Sequence, residues 1–325
     1  MSIQPTADDV RKKVLVVMYS QTGQLSRIVE RMLEALRDDP RIALQVETLH
    51  PATPFPFPWS LRRFFDTFPE SALLKPAPIA PLALTGDERF DLIILPWQVW
   101  FLAPSQPMTA FLQHPAAQRV LRDTPVVSVI ACRNMWIMAH EKFKGLLAAA
   151  GARLIDNVVF TDRAPTLATL LTTPLWMLTG RRDVLRSLPP AGISDADIAD
   201  AARFGPVLRD ALASNLERGT APLLTGLAAV EVNPHLMTSE KAGTRSFFLW
   251  GKLLHTAGPA GSPQRMPLLV LYAVFLVALI ITVVPVSLLL QRALRPLLAK
   301  RLARIKEHYE QPSGSGTERL SRHER

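Results

Sequence analysis

The chain has 325 residues with a formal net charge of +9, 48% hydrophobic residues and 20% charged residues. This composition excludes a disordered or collagen-like chain and predicts one large domain with an appendage. A single cysteine, Cys132, excludes a disulfide framework and any zinc site that needs several thiolates. Residues 1–218 hold 24 basic residues against 22 acidic ones, whereas residues 219–325 hold 13 against 6, so the basic excess belongs to the tail. Without a basic face interleaved with aromatic residues, no nucleic-acid partner is expected.

Short apolar runs alternate with helical patterns over residues 1–218. Five runs rich in β-branched residues predict strands at residues 13–20, 43–49, 90–95, 125–131 and 154–160. Apolar residues at helical spacing predict helices at residues 25–36, 105–113, 139–150 and 195–217. Apolar strands that alternate with helices indicate a doubly wound α/β domain with a five-stranded parallel sheet. Ligands of such sheets bind beyond the carboxyl ends of the strands.

Two insertions interrupt this alternation. Residues 50–84 contain many prolines together with Phe and Trp residues, a composition too irregular for a long helix and too apolar for a solvated linker. We expect this insertion to pack over another part of the domain. Residues 165–190 include an apolar stretch of about 14 residues, which is short for a membrane span and would cap a pocket or dip into a lipid interface.

The C-terminal third contains a membrane signal. Residues 267–290 are 24 residues without a charge, which predicts a transmembrane or membrane-embedded segment. Six basic residues follow this segment within twenty positions and only Lys252 and Arg265 precede it, so the positive-inside rule predicts a cytoplasmic C-terminus. A single span would then place the first domain outside, although its N-terminal sequence lacks the features of an export signal.

Three explanations of this conflict stay open: the charge rule fails, the segment turns back near Pro285, or it lies in the interface. We expect an inner-membrane protein with its domain on the cytoplasmic side, and the orientation of the tail stays open. Residues 219–266 are predicted to be a linker in which residues 239–255 form either an interfacial helix or a small packing element. Residues 291–325 are predicted to be basic and then disordered.

The first loop with a chemical signature follows the first strand and enters the first helix. It consists of Ser20, Gln21, Thr22, Gly23, Gln24 and Leu25. Its hydroxyls and free backbone N–H groups, at the positive end of the helix dipole, would hold a phosphate without a lysine. Taken alone, such a turn before a helix is more often only a helix N-cap.

Two further loops are predicted at the same edge of the sheet. The third strand leads into Pro96, Trp97, Gln98, Val99, Trp100 and Phe101, and the fourth ends at Cys132, Arg133 and Asn134. Aromatic rings stack on planar ligands, and polar side chains bond to their edges. The three strand ends together predict a site for a flat phosphorylated cofactor, with burial of the tryptophans in the core as the alternative.

With the residues of these three loops, the first two thirds of the chain resembles the flavodoxin superfamily, whose members bind FMN. The phosphate motif of that family, roughly T/S-x-T-G-x-T, is matched by Ser20, Thr22 and Gly23, whereas Leu25 stands where the last hydroxyl residue is expected. The resemblance implies FMN as the cofactor, with Trp97 and Trp100 beside the isoalloxazine. Pro96 and Gln98 replace the more usual Gly and Pro.

More narrowly, the aromatic insertion and the segments PWQVWFLAPSQPM, ACRNMW and TTPLWMLTGRR resemble bacterial dialkylresorcinol condensing enzymes of aryl-polyene-type pigment pathways. This resemblance implies a membrane-associated, FMN-dependent oxidoreductase that acts on a hydrophobic small molecule. An example of such a reaction is the oxidation or aromatisation of an alkylated cyclic diketone. The alternatives are a cofactor-free scaffold that recruits pathway enzymes to the membrane and an NAD(P)H:quinone reductase.

Single residues add little catalytic signal. Cys132 would be a nucleophile only with a depressed thiol pKa, and a structural role is the more common one. His140 would be a proton carrier or an exposed helix residue. Arg133 would stabilise an anionic flavin or an enolate, or pair with a carboxylate. The sequence therefore leaves the catalytic residues unidentified and predicts no metal ligand.

Overall fold

The computed structural model describes residues 11–320, with side chains for residues 11–282 and 298–320. Its strands are β1 (Lys12–Met18), β2 (Ile42–Thr48), β3 (Leu92–Trp100), β4 (Ala103–Pro104), β5 (Pro125–Cys132) and β6 (Arg153–Thr161). Five of them form a parallel sheet in the order β2-β1-β3-β5-β6, and β4 pairs antiparallel with β3. This strand order is the flavodoxin-like one, so the predicted fold class is confirmed.

Ten α-helices are described. They are α1 (Gln24–Arg37), α2 (Leu61–Ala72), α3 (Gln106–Gln113), α4 (Pro115–Leu121), α5 (Ile137–Ala149), α6 (Thr166–Thr179), α7 (Asp195–Asp200), α8 (Phe204–Ala213), α9 (Met237–Ala257) and α10 (Met266–Glu310). Helix α1 packs with α7 and α8, and α5 packs with α3 and α9. Because the sheet order reverses at β1 and crossovers are right-handed, these two groups cover opposite faces of the sheet.

The centre of the sheet is apolar on both faces. In β1, Val14, Leu15, Val16 and Val17 are all 0% exposed. Successive residues of a strand point to opposite faces, so a run of four buried side chains requires cover on both sides. The continuous apolar run in the sequence predicted this interior strand correctly, because a strand covered on both faces needs apolar side chains on both.

Strand β3 is longer than the sequence analysis predicted. It continues through Trp100 and then turns at Phe101 and Leu102, whose φ angles are 52° and 55°, into β4. Two consecutive left-handed residues are typical of the tight turn of a β-hairpin. Pro96 and Trp97, predicted to lie in a loop, pair instead with Val129 and Ile130 of β5. Aromatic and β-branched residues favour an extended strand wherever a neighbouring strand is available on its edge.

The two insertions meet each other and form what we call the aromatic lid: Phe55, Phe57, Trp59 and Phe64 from the first insertion and Trp176 from the second. The first insertion contains α2 and the second contains α6. The Trp59 N–H donates to the carbonyl of Met177 at 2.7 Å. The ring centroids of Phe57 and Trp176 are 5.8 Å apart. The lid therefore joins two segments more than 100 residues apart.

The folded unit continues beyond residue 218, the boundary proposed from the sequence. Leu224, Leu227 and Val230 are 0% exposed and belong to the main hydrophobic core. Helix α9 then packs one face on α2 and α5, with Gly251 and Leu254 buried. The segment predicted to be a linker is thus largely part of the folded structure.

The start of α10 is attached to α2. Arg265 is 0% exposed, and its guanidinium bonds Asp66 at 2.7 Å and Glu70 at 2.8 Å. About two turns later, the Tyr272 ring stacks on Phe68 with centroids 4.3 Å apart and planes 8° from parallel. By length and composition alone, residues Pro263–Thr282 are apolar enough to cross a membrane.

The segment after α10 is bonded to the sheet, although the sequence predicted disorder there. Ser313 is 0% exposed, donates to Asp156 Oδ1 at 2.7 Å and accepts from the Asn157 N–H at 2.8 Å. Two backbone bonds, from Ala228 N to Gly316 O and from Val230 N to Gly314 O, extend this attachment. A polar, glycine-rich sequence carries no local sign of such docking, because its partners come from β6. Residues 321–325 lie outside the described residues.

We expect Ser313→Ala to lower the free energy of unfolding by about 1–3 kcal/mol, because it leaves the buried Asn157 N–H unsatisfied and removes a donor from Asp156. Chemical denaturation of the detergent-solubilised protein, followed by tryptophan fluorescence, measures the change. Ser187→Ala, at an exposed serine, is the matched control. Equal stability of the two variants would contradict the assigned role of Ser313.

Candidate functional site

The candidate site lies at the carboxyl edge of the sheet, where β1 and β3 are neighbours and the strand order reverses. Ligands of open α/β sheets bind at such a point. The loop after β1 and the hairpin after β3 meet there, since the ring centroids of Tyr19 and Trp100 are 6.0 Å apart. The loop after β5, residues 133–136, follows the strand that pairs with β3 through Gln98 and Ala131. The convergence predicted from the sequence is therefore present for the first two loops.

The first loop presents backbone donors at the start of α1. Gly23 is the N-cap residue with φ of 80°, and the Ser26 N–H is bonded to Ser20 Oγ at 3.3 Å. Within the described residues, the N–H groups of residues 22–25 have no hydrogen-bond partner. A side chain built on Gly23 would meet no atom within 4 Å, so the space beside Gly23 is open. Unpaired N–H groups at a helix start form a favourable site for an anion.

Three predicted side chains of this loop have other roles. The Gln24 amide donates to the Ile193 carbonyl at 3.0 Å and accepts from the Ile193 N–H at 3.2 Å. Gln21 donates to the carbonyl of Pro56 at 3.0 Å, which ties the loop to the lid. Leu25 is 1% exposed and packs in the core. At Gln24 and Leu25 only the main chain is available to a ligand.

Trp97 lies in the core, which corrects the expectation that it borders a flat ring. Its side chain is 0% exposed and its indole N–H donates to Ser128 Oγ at 3.0 Å. Its ring stacks on Phe143 with centroids 4.8 Å apart. Pro96 is likewise buried within β3. The sequence does not show where β3 ends. Because β3 continues to Trp100, Trp97 is a strand residue, and the alternation of side chains along the strand turns it into the core.

Trp100 lies at the carboxyl edge, as expected, and three rings contact it. Its centroid is 6.0 Å from Tyr19, 4.9 Å from Phe55 and 5.8 Å from Trp59. Two of these rings belong to the lid. A planar ligand beside Trp100 would therefore share this surface with the lid or displace part of it.

The other predicted residues of the hairpin serve the backbone or the neighbouring helices. The carbonyl of Gln98 accepts from Ser105 N at 2.9 Å, and Val99 pairs with Pro104 of β4. Phe101 packs against Phe64 at 4.9 Å, towards α2. The half-buried side chain of Gln98 has no hydrogen bond within the described part of the chain.

The loop after β5 contains a cation without a carboxylate partner. Arg133 forms no salt bridge with a described carboxylate, and its one hydrogen bond is a long contact, 3.4 Å, to Asn134 Oδ1. Desolvation lowers the pKa of Arg133, while the charge of Asp162 opposes this shift. A desolvated and unpaired guanidinium is unfavourable unless a negative group approaches it. The loop is therefore suited to an anionic or electron-rich ligand.

Cys132 and His140 do not have the properties of catalytic groups. Desolvation, and next the charge of Glu240, raise the pKa of the Cys132 thiol, so it stays protonated and is a poor nucleophile. His140 is 3% exposed, neither the exposed residue nor the proton carrier considered from the sequence. Burial lowers the pKa of His140 to about 3, and its ring nitrogens have no partner among the described residues.

Sequence reasoning missed Glu240, which lies beside this loop. The residue belongs to α9 and is 1% exposed, and its Oε2 accepts from the Met138 N–H at 2.8 Å. The N–H groups of Trp136 and Ile137 also bond it, so Glu240 caps the start of α5. Burial raises the pKa of Glu240 to about 7. About 100 residues separate the carboxyl group from the helix it caps, so no local motif could have indicated the contact.

A cavity of about 550 Å³ lies next to the first loop, on its β2 side. Its walls include Tyr19, Ser20, Ser26 and Phe55. The cavity therefore shares residues with both the loop and the lid. Within residues 11–320, no cluster of three or more His, Cys, Asp or Glu side chains is arranged to hold a metal ion.

No protein-family model and no curated protein matches the chain. Among solved structures, the chain is similar to a flavoprotein in complex with FMN from Lactobacillus acidophilus NCFM, with 14% identity, a TM-score of 0.35, and coverage of 46% of this chain and 93% of that chain. It is also similar to a flavodoxin from the Archaea, with 11% identity, a TM-score of 0.31, and coverage of 62% and 99%. A third is the Trp repressor binding protein from Bacillus subtilis, with 13% identity, a TM-score of 0.29, and coverage of 59% and 99%.

The raised pKa of Glu240 predicts a specific pH dependence. Between the ordinary glutamate value of 4.5 and the folded value of about 7, the folded chain binds more protons than the unfolded chain. The contribution of Glu240 to the free energy of unfolding therefore falls as pH rises through this window. We expect Glu240→Gln, which does not titrate, to remove this part of the slope.

Denaturation midpoints measured from pH 4.5 to pH 7 test this expectation. Glu307→Gln, at an exposed carboxylate of α10, is the control and should keep the wild-type slope. Identical slopes for Glu240→Gln and the wild type would show that Glu240 is ionised in the folded protein throughout this range.

Proposed function

We propose that the chain binds FMN at the carboxyl edge between β1 and β3 and is an oxidoreductase. The observation that carries the proposal is the set of N–H groups of residues 22–25, which have no partner within the described residues, in a loop with open space at Gly23 that follows the Tyr19–Trp100 contact. The strand order supports it, because flavodoxin-like sheets bind FMN at this switch point. The solved structures similar to the chain include flavoproteins, one in complex with FMN.

The residues present at the edge fit the chemical parts of FMN. The hydroxyls of Ser20 and Thr22 and the N–H groups at the start of α1 would hold the phosphate. Trp100 and Tyr19 would border the ring system, and Arg133 and Asn134 would bond its polar edge. When bound, FMN supplies hydride and electron transfer. Leu25 provides no hydroxyl, so the phosphate would rely more on backbone donors than the flavodoxin motif implies.

The chain's own residues would tune this site electrostatically. Arg133, which forms no salt bridge within the described residues, would place its positive charge where negative charge develops, which favours an anionic state of the ligand. Burial raises the pKa of Tyr19 to about 12, so its hydroxyl stays protonated and is available as a hydrogen-bond donor. The aromatic lid would exclude water from the same edge, which strengthens each of these interactions.

For the substrate we propose a hydrophobic small molecule that reaches the site from a membrane. The apolar lid and the apolar start of α10 support this assignment. Oxidation or aromatisation of an alkylated cyclic diketone, as the resemblance to dialkylresorcinol condensing enzymes implies, is the specific reaction we propose. An inner-membrane location with the domain on the cytoplasmic side, and association with other pathway enzymes, belong to the same proposal.

A second candidate function is a cofactor-free scaffold that brings pathway enzymes to the membrane. The observation that favours it is the packing around Trp100, where Phe55 and Trp59 of the lid already contact the indole. The absence of a hydroxyl at Leu25 also favours the scaffold, because it removes one contact to the phosphate. Purified protein that stays colourless in an FMN titration would support the scaffold over the oxidoreductase.

The FMN proposal predicts the effect of Thr22→Val. Loss of one hydrogen bond to phosphate, worth about 1–1.5 kcal/mol, should raise the Kd for FMN roughly tenfold. Quenching of flavin fluorescence during titration of detergent-solubilised protein measures the Kd. Thr220→Val, at an exposed threonine outside the site, is the matched control and should bind like the wild type. Equal affinity of both variants would remove the first loop from the proposed site.

A further inference from the structure

We infer that α10 docks the chain on the surface of an anionic lipid bilayer from one side and does not carry the chain across it. The inference deepens the membrane association proposed above and rests on it. It does not depend on FMN binding. It names the face that contacts lipid and the side on which the C-terminal segment lies.

Both ends of α10 are attached to the same folded domain. At the first end, Arg265 is enclosed by the carboxylates of Asp66 and Glu70 on α2. At the other end, Glu310 Oε1 accepts from the Val232 N–H, and Ser313 bonds to β6. Both attachments are buried, since Arg265 and Ser313 are 0% exposed.

These two attachments are incompatible with a single crossing. At about 1.5 Å per residue, the uncharged residues 267–290 would span roughly 36 Å, more than a hydrocarbon core of about 30 Å. A helix that crossed there would place residues 300–320 on the far side of the bilayer. Those residues instead contact the same folded domain as the first end, with Ile305 and Tyr309 packed on the main core.

The first part of α10 exposes a continuous apolar face. One face, Leu269 and Tyr272, is buried against α2 and α9. The opposite face carries a row of side chains that are at least half exposed: Val270 57%, Val274 62%, Val277 50% and Ile281 67%. The spacing of four, three and four residues places all of them on one side of the helix. Exposed apolar surface of this extent indicates a contact with a partner or a membrane.

Charge identifies the partner as a lipid surface. On α9, next to α10, Lys241, Arg245 and Lys252 are exposed at helical spacing, beside exposed Leu249 and Leu253. Rows of basic and apolar side chains that adjoin on one helix are characteristic of helices that lie in the interface of an anionic bilayer. A second copy of this surface would bring its own cations and leave all of them without complementary charge, whereas anionic lipid headgroups neutralise them.

Placing both ends of α10 on one side of the bilayer also removes the conflict between the positive-inside rule and the lack of an export signal. The basic residues after the apolar segment include exposed Lys300, Arg301 and Arg304. With both ends on one side, these residues and the domain face the same compartment. The positive-inside rule then predicts a cytoplasmic tail and a cytoplasmic domain together.

Cysteine labelling tests the topology directly. Asp38→Cys at the end of α1 and Glu307→Cys near the end of α10 are introduced separately into the full-length Cys132→Ser chain. Spheroplasts of a bacterial host are treated with a membrane-impermeant maleimide before and after permeabilisation. We expect both cysteines to be protected before permeabilisation and labelled after it. Labelling of the two from opposite sides would overturn the inference. Labelling of both from outside would support it and contradict only the proposed cytoplasmic location.

Lipid contact is tested with a fluorophore on single cysteines in the same background. Leu249→Cys and Val274→Cys report on the proposed docking face, and Arg122→Cys, before β5, is the control site. In vesicles of phosphatidylcholine and phosphatidylglycerol, nitroxide-labelled lipids should quench the first two labels at least twofold more than the control. Equal quenching at all three sites would show that protein, not lipid, covers this face. The outcome is independent of an FMN titration, which tests the proposed function separately.

Discussion

A charged group that is buried must be paired, and this constraint organises the outer parts of the molecule. Asp156 is satisfied by Ser313, Arg265 by Asp66 and Glu70, and Glu240 by the start of α5. Each pairing joins segments that are far apart in the chain. Together they hold the C-terminal segment, α10 and α9 on the α/β domain, so the proposed membrane face and the candidate site belong to one folded unit.

Arg133 is the contrasting case. It is desolvated like the other buried charges, but it forms no salt bridge with a carboxylate in the described part of the chain. It also follows a strand end at the edge of the sheet where the N–H groups of residues 22–25 have no partner among the described residues. The Arg133 guanidinium and the N–H groups of residues 22–25 are both positive and lack a carboxylate partner among the described residues. At a topological switch point, such groups favour an anionic ligand. The same pairing rule that explains the stability of the periphery therefore locates the candidate site.

The site and the proposed membrane face share their structural elements. Trp59 contacts Trp100 at the site and is bonded through its N–H to α6. Helix α2, which begins directly after Trp59, carries Phe68 to the Tyr272 ring of α10. Packed rings therefore connect the start of α10 with α2, and α2 follows the lid residue that contacts Trp100. The proposed membrane face and the candidate site are thus linked without any additional domain.

By itself the sequence determined the sheet, the first loop and the apolar segment, because each depends on local patterns: buried runs such as Val14–Val17, a glycine turn before a helix, and uncharged length. The sequence did not show that Trp97 is buried in the core whereas Trp100 lies at the carboxyl edge, since this depends on where β3 ends and how its side chains alternate. Tertiary structure alone placed Glu240 beside α5 and Ser313 beside β6. Their partners are 100 residues or more away, and only the pairing of buried polar groups in the folded chain brings them together.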